Sequence, residues 1–199
     1  MDEPRSDANK HEEYLNYLRK KIEVNSRISD SLWELTRNTL TLNSAPRNTI
    51  LLEQGNYETS ARFILKGVLK IIHHDTKSYI YDFRVKNDFL CDAYSLLGGS
   101  RTIYTFETVT KCEWLEINST DLLLLSQANP EIMSSFLKRI TEYSKKGDER
   151  AVFLRINNAE ERYNEFCKTR PEVMKYTKLT DIASFLDITP QSLSRIRKK

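Results

Sequence analysis

The chain has 199 residues, of which 39% are apolar and 30% charged, with only five glycines and five prolines. That excludes collagen-like, elastic and wholly disordered chains, and it leaves enough sequence for one large domain or two small ones with a real core. Charge is nearly balanced, 31 basic against 28 acidic residues, but Tyr176 to Lys199 holds five bases against two acids, so the whole surplus of +3 lies at the C-terminal end.

The first ten residues are polar and expected to be frayed. From His11 to Ile22, Tyr14, Leu15, Leu18 and Ile22 fall at helical spacing, which predicts a surface helix. A second helix is expected from Ser29 or Asp30, either of which suits an N-cap, with Leu32, Trp33 and Leu35 on its apolar side. From Leu40 to about Ile117 the pattern changes to short runs of β-branched and aromatic residues: LTLN, TILLEQG, ARFILKGVLKIIHHD, SYIYDFRV, IYTFETVT and CEWLEI. Turn residues part them at the spacing of an antiparallel sandwich or barrel, with Gly55 and Gly67 at two corners. One interruption, FLCDAYSLLGGS, predicts one or two helical turns closed by Gly98 and Gly99.

A Ser119-Thr120-Asp121 start then leads into a leucine-rich helix, and Asn129-Pro130-Glu131 opens a run to about Asn158. At ~1.5 Å per residue this run is roughly 40 Å long, which suggests a spine or a dimer seam. Ile132, Phe136, Ile140 and Tyr143 follow a 4-4-3 spacing and are the expected seam, although Gly147 and Arg150 break its continuation and allow a kink. After Asn157-Asn158 comes a helix over AEERYNEFCK, a loop at Pro171, and two short helices, LTDIASFL and TPQSLSRIRKK, separated by Asp187-Ile188.

That last pair has the grammar of a helix-turn-helix. Thr180 can cap the first helix, with Ile182, Ala183 and Leu186 inward; Thr189-Pro190 begins the second, with Leu193 and Ile196 inward. The small Ala183 permits a steep crossing, so that the second helix can protrude into a major groove. Asp187 stands where a left-handed glycine is common, and Asp tolerates that conformation better than most residues. On the outer side lie Gln191, Ser192, Ser194, Arg195 and Lys198, with Thr189 and Pro190 at the tip. Gln and Arg pair with adenine and guanine edges, and Ser and Lys contact phosphates. A solvated basic tail would explain the charge but not the apolar positions on both sides of the turn.

No run approaches the roughly 18 apolar residues of a membrane span, and MDEPRSDANKHEEY lacks the apolar core of a signal peptide, so a cytoplasmic protein that does not engage membranes is expected. Cys91, Cys112 and Cys167 are scattered and odd in number, which speaks for buried thiols rather than a disulfide framework or a metal knuckle. No Ser-His-Asp arrangement, P-loop or paired-carboxylate cleft argues for an enzyme.

In order and motifs the chain resembles the Crp/Fnr superfamily of bacterial transcription regulators. ILLEQGNYETSARFILKGVLKI is similar to that family's strand, Gly, aromatic-Ile strand, Gly, strand pattern through Gly55, Phe63, Ile64 and Gly67, and DIASFLDITPQSLSRIRKK resembles its helix-turn-helix. The resemblance implies an α+β fold: a cyclic-nucleotide-binding-like antiparallel β-roll with flanking helices over residues 1–128, a long dimerisation helix over 129–158, and a helix-turn-helix domain over 159–199. It also implies a homodimer on a roughly palindromic operator, base reading by Pro190, Gln191 and Arg195, RNA polymerase as a further partner, and a small-molecule effector. No clear β-wing follows the recognition helix, which keeps open a rival reading as a small-ligand sensor or interaction module without DNA binding. Family members that bind cyclic AMP use Gly-Glu and Arg-Ser or Arg-Thr pairs; here Cys91-Asp92 and Arg101-Thr102 take those places, with one residue of extra spacing before Cys112. Cys91 crowds the ligand's path and Asp92 is a methylene shorter than Glu, so a different effector, or none, is expected. The scattered cysteines exclude the family's four-cysteine iron-sulfur site. Of His73 and His74, adjacent on a strand end, at most one can face a pocket, as a haem ligand or otherwise.

Overall fold

A computed structural model describes residues 7–23 and 28–198. The first helix, α1, runs from Asp7 to Glu23, so residues 7–10 are helical where fraying was expected, and residues 1–6 lie outside the description. Helix α2 (Asp30–Arg37) is capped by Ser29, whose hydroxyl accepts the Leu32 N–H at 3.2 Å. Its Leu32 and Trp33 are buried, but Leu35 is exposed, one position too far round the helix to reach the core.

Eight strands follow: β1 (Thr41–Ala45), β2 (Ile50–Leu52), β3 (Ser60–Lys66), β4 (Leu69–His74), β5 (Ser78–Arg84), β6 (Phe89–Leu90), β7 (Tyr104–Thr108) and β8 (Cys112–Asn118). They pair antiparallel as two four-stranded sheets, β1-β8-β3-β6 and β2-β7-β4-β5, with short helix α3 (Ala93–Gly98) inserted between β6 and β7. The two-residue period of the strands sorts the side chains. Ile64, Leu69, Phe106 and Trp114 fill the space between the sheets, while Phe63, Leu65 and Leu115 face outward under α1 and α2. Gly67, at φ 97°, turns β3 into β4 where a Cβ would sit 2.5 Å from the Lys111 carbonyl oxygen, so no other residue fits without displacing backbone.

Helix α4 (Ser119–Ala128), capped by Asn118, and α5 (Pro130–Ile156), capped by Asn129 with Pro130 in its first turn, continue the chain. α5 is one helix through Gly147, without a break. Then come α6 (Ala159–Thr169), α7 (Pro171–Tyr176), which stands where a loop was expected, α8 (Leu179–Phe185) and α9 (Pro190–Ile196). These four helices do not close a core of their own. Phe166, Val173, Ile182, Phe185, Leu186 and Leu193 share one apolar cluster with Val68, Ile72, Ile80 and Phe83 of the roll. A segment of about 40 residues is too short to bury a sufficient core alone, and the outer face of β4 and β5 completes it. Among the described residues no helix is long and apolar enough to cross a membrane.

Candidate nucleic-acid interface and effector cassette

Helices α8 and α9 meet at a tight turn. Asp187 adopts φ 53°, the left-handed conformation expected of it, and the Ile188 N–H reaches back to the Ala183 carbonyl at 3.0 Å. Ala183, fully buried, lets the helices cross closely. α8 starts two residues earlier than a Thr180 cap requires, at Leu179 after Lys178, so Thr180 lies inside the helix instead of capping it. Thr189 does cap α9, its hydroxyl accepting the Ser192 N–H at 3.1 Å, with Pro190 in the first turn. Leu193 is the buried anchor, whereas Ile196 is only half-buried.

Thr189, Pro190, Gln191, Ser194, Arg195 and Lys198 are all exposed. Arg195 and Lys198 form no ion pair among the described residues. Ser192 differs: half-buried, its hydroxyl oxygen accepts from the Thr189 hydroxyl at 2.9 Å and is tied to the cap. The α9 surface is therefore a ridge of unengaged polar groups on a fixed backbone.

Several residues that fix this ridge are not evident from sequence periodicity. On α6, the Arg162 guanidinium donates to the carbonyls of Asn157 (2.9 Å), Leu186 (3.0 Å), Asp187 (3.3 Å) and Leu154. One side chain thus joins the end of α5, the connection to α6 and the left-handed turn. Arg150 on α5 donates to the Phe185 carbonyl at 2.7 Å and lies 4.3 Å over its ring. Burial pushes the Arg150 guanidinium below its ordinary value. The Ser184 hydroxyl of α8 accepts the Ile80 N–H of β5 at 2.9 Å. Asp82 of β5 pairs with Arg84 beside it and with Arg170 at 2.9 Å. Burial alone would raise the Asp82 carboxyl, but the two guanidiniums outweigh it and hold it below its ordinary range. The only sequence signals for these contacts are charged residues, Arg150 and Arg162, interrupting helical faces.

The cassette residues are close in the chain, and Asp92, Arg101 and Thr102 each bond within the protein. Asp92 is buried and caps α3, its carboxylate accepting from Tyr94 N (3.1 Å) and Ser95 N (3.4 Å). Arg101 is exposed, donates to the Gly55 carbonyl at 2.6 Å and stacks 5.0 Å from the Tyr57 ring. Thr102 is buried and its hydroxyl accepts the Tyr104 N–H. Burial, with Glu58 beside it, pushes the Cys91 thiol up to about 12, so it is no thiolate. What occupies the middle of the cassette is a pair unrecognised in the sequence. Arg62 donates to both Glu58 carboxylate oxygens (3.1 and 3.0 Å), and Glu58 also accepts from Thr59, Ser60 and Asp92 N–H groups. Arg62 reaches Glu116 as well, at 3.3 Å. Burial raises the Glu58 carboxyl above its ordinary value despite Arg62. The available signal was the period of two through Glu58, Ser60, Arg62 and Ile64, which turns all four inward.

His73 and His74 do part to opposite faces. His73 stacks on Tyr79 (centroids 4.9 Å apart) beside Tyr104, and exposed His74 bonds Ser78 at 2.7 Å. Among the described residues no cluster of three or more His, Cys, Asp or Glu could hold a metal ion.

The stripe expected as a dimer seam faces its own chain. Ile132 and Phe136 pack against the cluster of Ala61, Leu96 and Leu122. The Tyr143 hydroxyl accepts the Phe89 N–H at 2.7 Å and donates to Asp88 at 3.2 Å. Gly147 passes Tyr81, and Arg150 meets Phe185, which explains why apolar residues stop there. Ile140 is half-buried, and the exposed large apolar residues of α5 are Leu137, Val152 and Ile156.

Two four-stranded sheets with an inserted short helix, a long helix and a terminal pair of helices joined by a tight turn define an α+β roll followed by a helical segment. Residues 42–129 match the cyclic nucleotide-binding domain family. Solved structures with this fold include the c-di-GMP-responsive global regulator CLP of Xanthomonas campestris, 15% identical, covering 85% of this chain and 90% of that one with a TM-score of 0.68. FixK2 from Bradyrhizobium japonicum is 12% identical, over 80% and 83% of the two chains, TM-score 0.69. The Thermus thermophilus catabolite activator protein is 13% identical, over 86% and 83%, TM-score 0.55. A curated relative, patatin-like phospholipase domain-containing protein 6 of Pongo abelii, is 27% identical over 103 residues, 51% of this chain but 8% of the relative's own length. The chain shares the fold of these structures over 80% or more of its length, the α+β arrangement that its motifs implied.

Proposed function

We propose that this chain is a sequence-specific DNA-binding transcription regulator of the Crp/Fnr type whose effector cassette does not take cyclic AMP. The observation that carries it is the outer face of α9: Gln191, Ser194, Arg195 and Lys198 stand exposed and uncommitted while Leu193 and the Thr189 cap lock the helix beneath them. Side chains that gain nothing from the fold and sit at major-groove-reading positions are accounted for by a nucleic-acid partner. The protein acts as a homodimer, two α9 helices entering major grooves one turn apart, roughly 34–36 Å. Its subunits meet on the exposed side of α5, along Leu137, Val152 and Ile156, since the other side is occupied by the roll. It is a cytoplasmic regulator and not an enzyme, with RNA polymerase a partner at its promoters.

The cassette supports the second half of the proposal. Asp92 is spent on the α3 cap and Arg101 on Gly55 and Tyr57, so a nucleotide would have to break both sets of contacts. Relative to a micromolar site, two losses of ~1–3 kcal/mol each, at ~1.4 kcal/mol per tenfold, put cyclic AMP binding at about 100 μM or weaker. Selection from a random duplex library tests the whole reading: it should return an inverted repeat bound with a steep salt dependence. Enrichment of no sequence would favour the sensor or interaction module instead.

A further inference from the structure

A cavity of about 500 Å³ lies outside the roll, between α1 and α2 on one side, the outward face of β3 and β8 behind, and α4 and α5 on the other. It borders the cassette at Arg62, which lines it while its guanidinium is held by Glu58 and Glu116. Leu18, Leu32, Phe63, Leu115, Leu122 and Phe136 are among its walls, and most of its lining is apolar. Its volume falls within the ~300–1,000 Å³ of small-molecule sites. The apolar part of a space of this size leaves its walls without partner atoms, and water there would find few polar groups to bond. An organic occupant satisfies both.

The polar residues at the cavity are mostly on α5. Arg139 is paired with Glu142 at 3.1 Å and lies 5.5 Å from the Phe89 ring. Lys138, exposed, has no ion-pair partner among the described residues, and Ser134 and Ser135 adjoin it. Glu131 is seven residues, roughly 10 Å, away along the helix. The carboxylate nearest to Lys138 along the helix, Glu142, is held by Arg139, so one end of the cavity has a cation outside any ion pair among the described residues, with hydroxyl donors beside it and a greasy interior behind. We infer that it binds a free single-chain aliphatic acid, the chain among the leucines and phenylalanines and the carboxylate at Lys138.

The test uses the delipidated full chain and displacement of the fluorescent acid cis-parinarate. Hexadecanoate should displace it at micromolar concentration and hexadecanol at least tenfold less well. Lys138→Glu should erase that preference while leaving hexadecanol unchanged, and Ser135→Trp should weaken both ligands at least tenfold with the far-ultraviolet circular dichroism intact. Equal binding of acid and alcohol to the wild type would overturn the assignment of the head group. No binding, or equal binding by Ser135→Trp, would overturn the site. If the wild type binds nothing and Ser135→Trp dissociates a dimer in sedimentation, a second copy fills the cavity and the inference is equally wrong.

Discussion

The cassette around α3 and the ridge of α9 carry similar side chains, carboxylate, guanidinium and hydroxyl, yet they differ in where those groups are spent. In the cassette Asp92, Arg101 and Thr102 each bond to backbone nearby, and Arg62 and Glu58 bond to each other. On α9 the backbone is fixed by a cap, a buried leucine and the Arg162 clamp, and the outward polar groups are left free. The lesson is that an inherited motif is a site only where its polar groups remain unsatisfied by the fold. On the proposed function, the cassette's polar groups serve the fold and those of the ridge serve a partner.

The comparison breaks first at Arg62. Arg62→Met leaves Glu58 buried without its cation, a loss of ~3–5 kcal/mol, and adding Glu58→Gln should recover a good part of it. Urea unfolding measures both; a cost under ~1 kcal/mol would mean that the pair does not seal the cassette. Next comes Arg162→Met, which strands the Leu186 and Asp187 carbonyls and should cost ~1–3 kcal/mol of stability. Its DNA affinity should fall further than unfolding explains, because the turn that aims α9 is released. An equal effect on both would reduce Arg162 to a stability residue.

Acid sharpens the junction between roll and helix-turn-helix. The Asp82 carboxyl titrates below its ordinary value in the fold, so its contribution is present above about pH 4 and is lost as pH falls through the lowered value. Asp82→Asn should therefore be less stable at neutral pH and show a flatter decline as pH falls below about 4. An unchanged acid profile would show that Arg84 and Arg170 do not depend on this carboxylate. Lys198→Ala should weaken all duplexes alike and lower the salt slope by about one unit, in anisotropy titrations at several salt concentrations. Arg101→Ala should be the mildest, within ~1 kcal/mol of wild-type stability, since an exposed stack on Tyr57 is worth no more.

Much of this was legible in the residues. The strand runs, Gly55 and Gly67 with positive φ, the Ser29 and Thr189 caps and the left-handed Asp187 follow from local chemistry and stand where the sequence placed them. What the sequence does not disclose are contacts between distant segments. Ile132, Phe136 and Tyr143 have the spacing of a seam, but spacing identifies only that a face is covered and not which surface covers it. Likewise Asp92 could be read as a ligand-binding carboxylate because its role as the α3 cap depends on where that helix begins. The Arg162 clamp joins carbonyls from Leu154 to Asp187, and carbonyls leave no trace in a sequence.

The most direct test is a titration of wild type and Arg195→Ala against a selected duplex and its scrambled counterpart, with and without millimolar cyclic AMP. The account predicts that the wild type prefers the selected duplex and that cyclic AMP changes nothing. Arg195→Ala should lose about ten- to a hundredfold on the selected duplex, the ~1–3 kcal/mol of a guanine contact, and little on the scrambled one. Equal affinity of the wild type for both duplexes, or a preference that appears only with cyclic AMP and vanishes in Arg101→Ala, would contradict it.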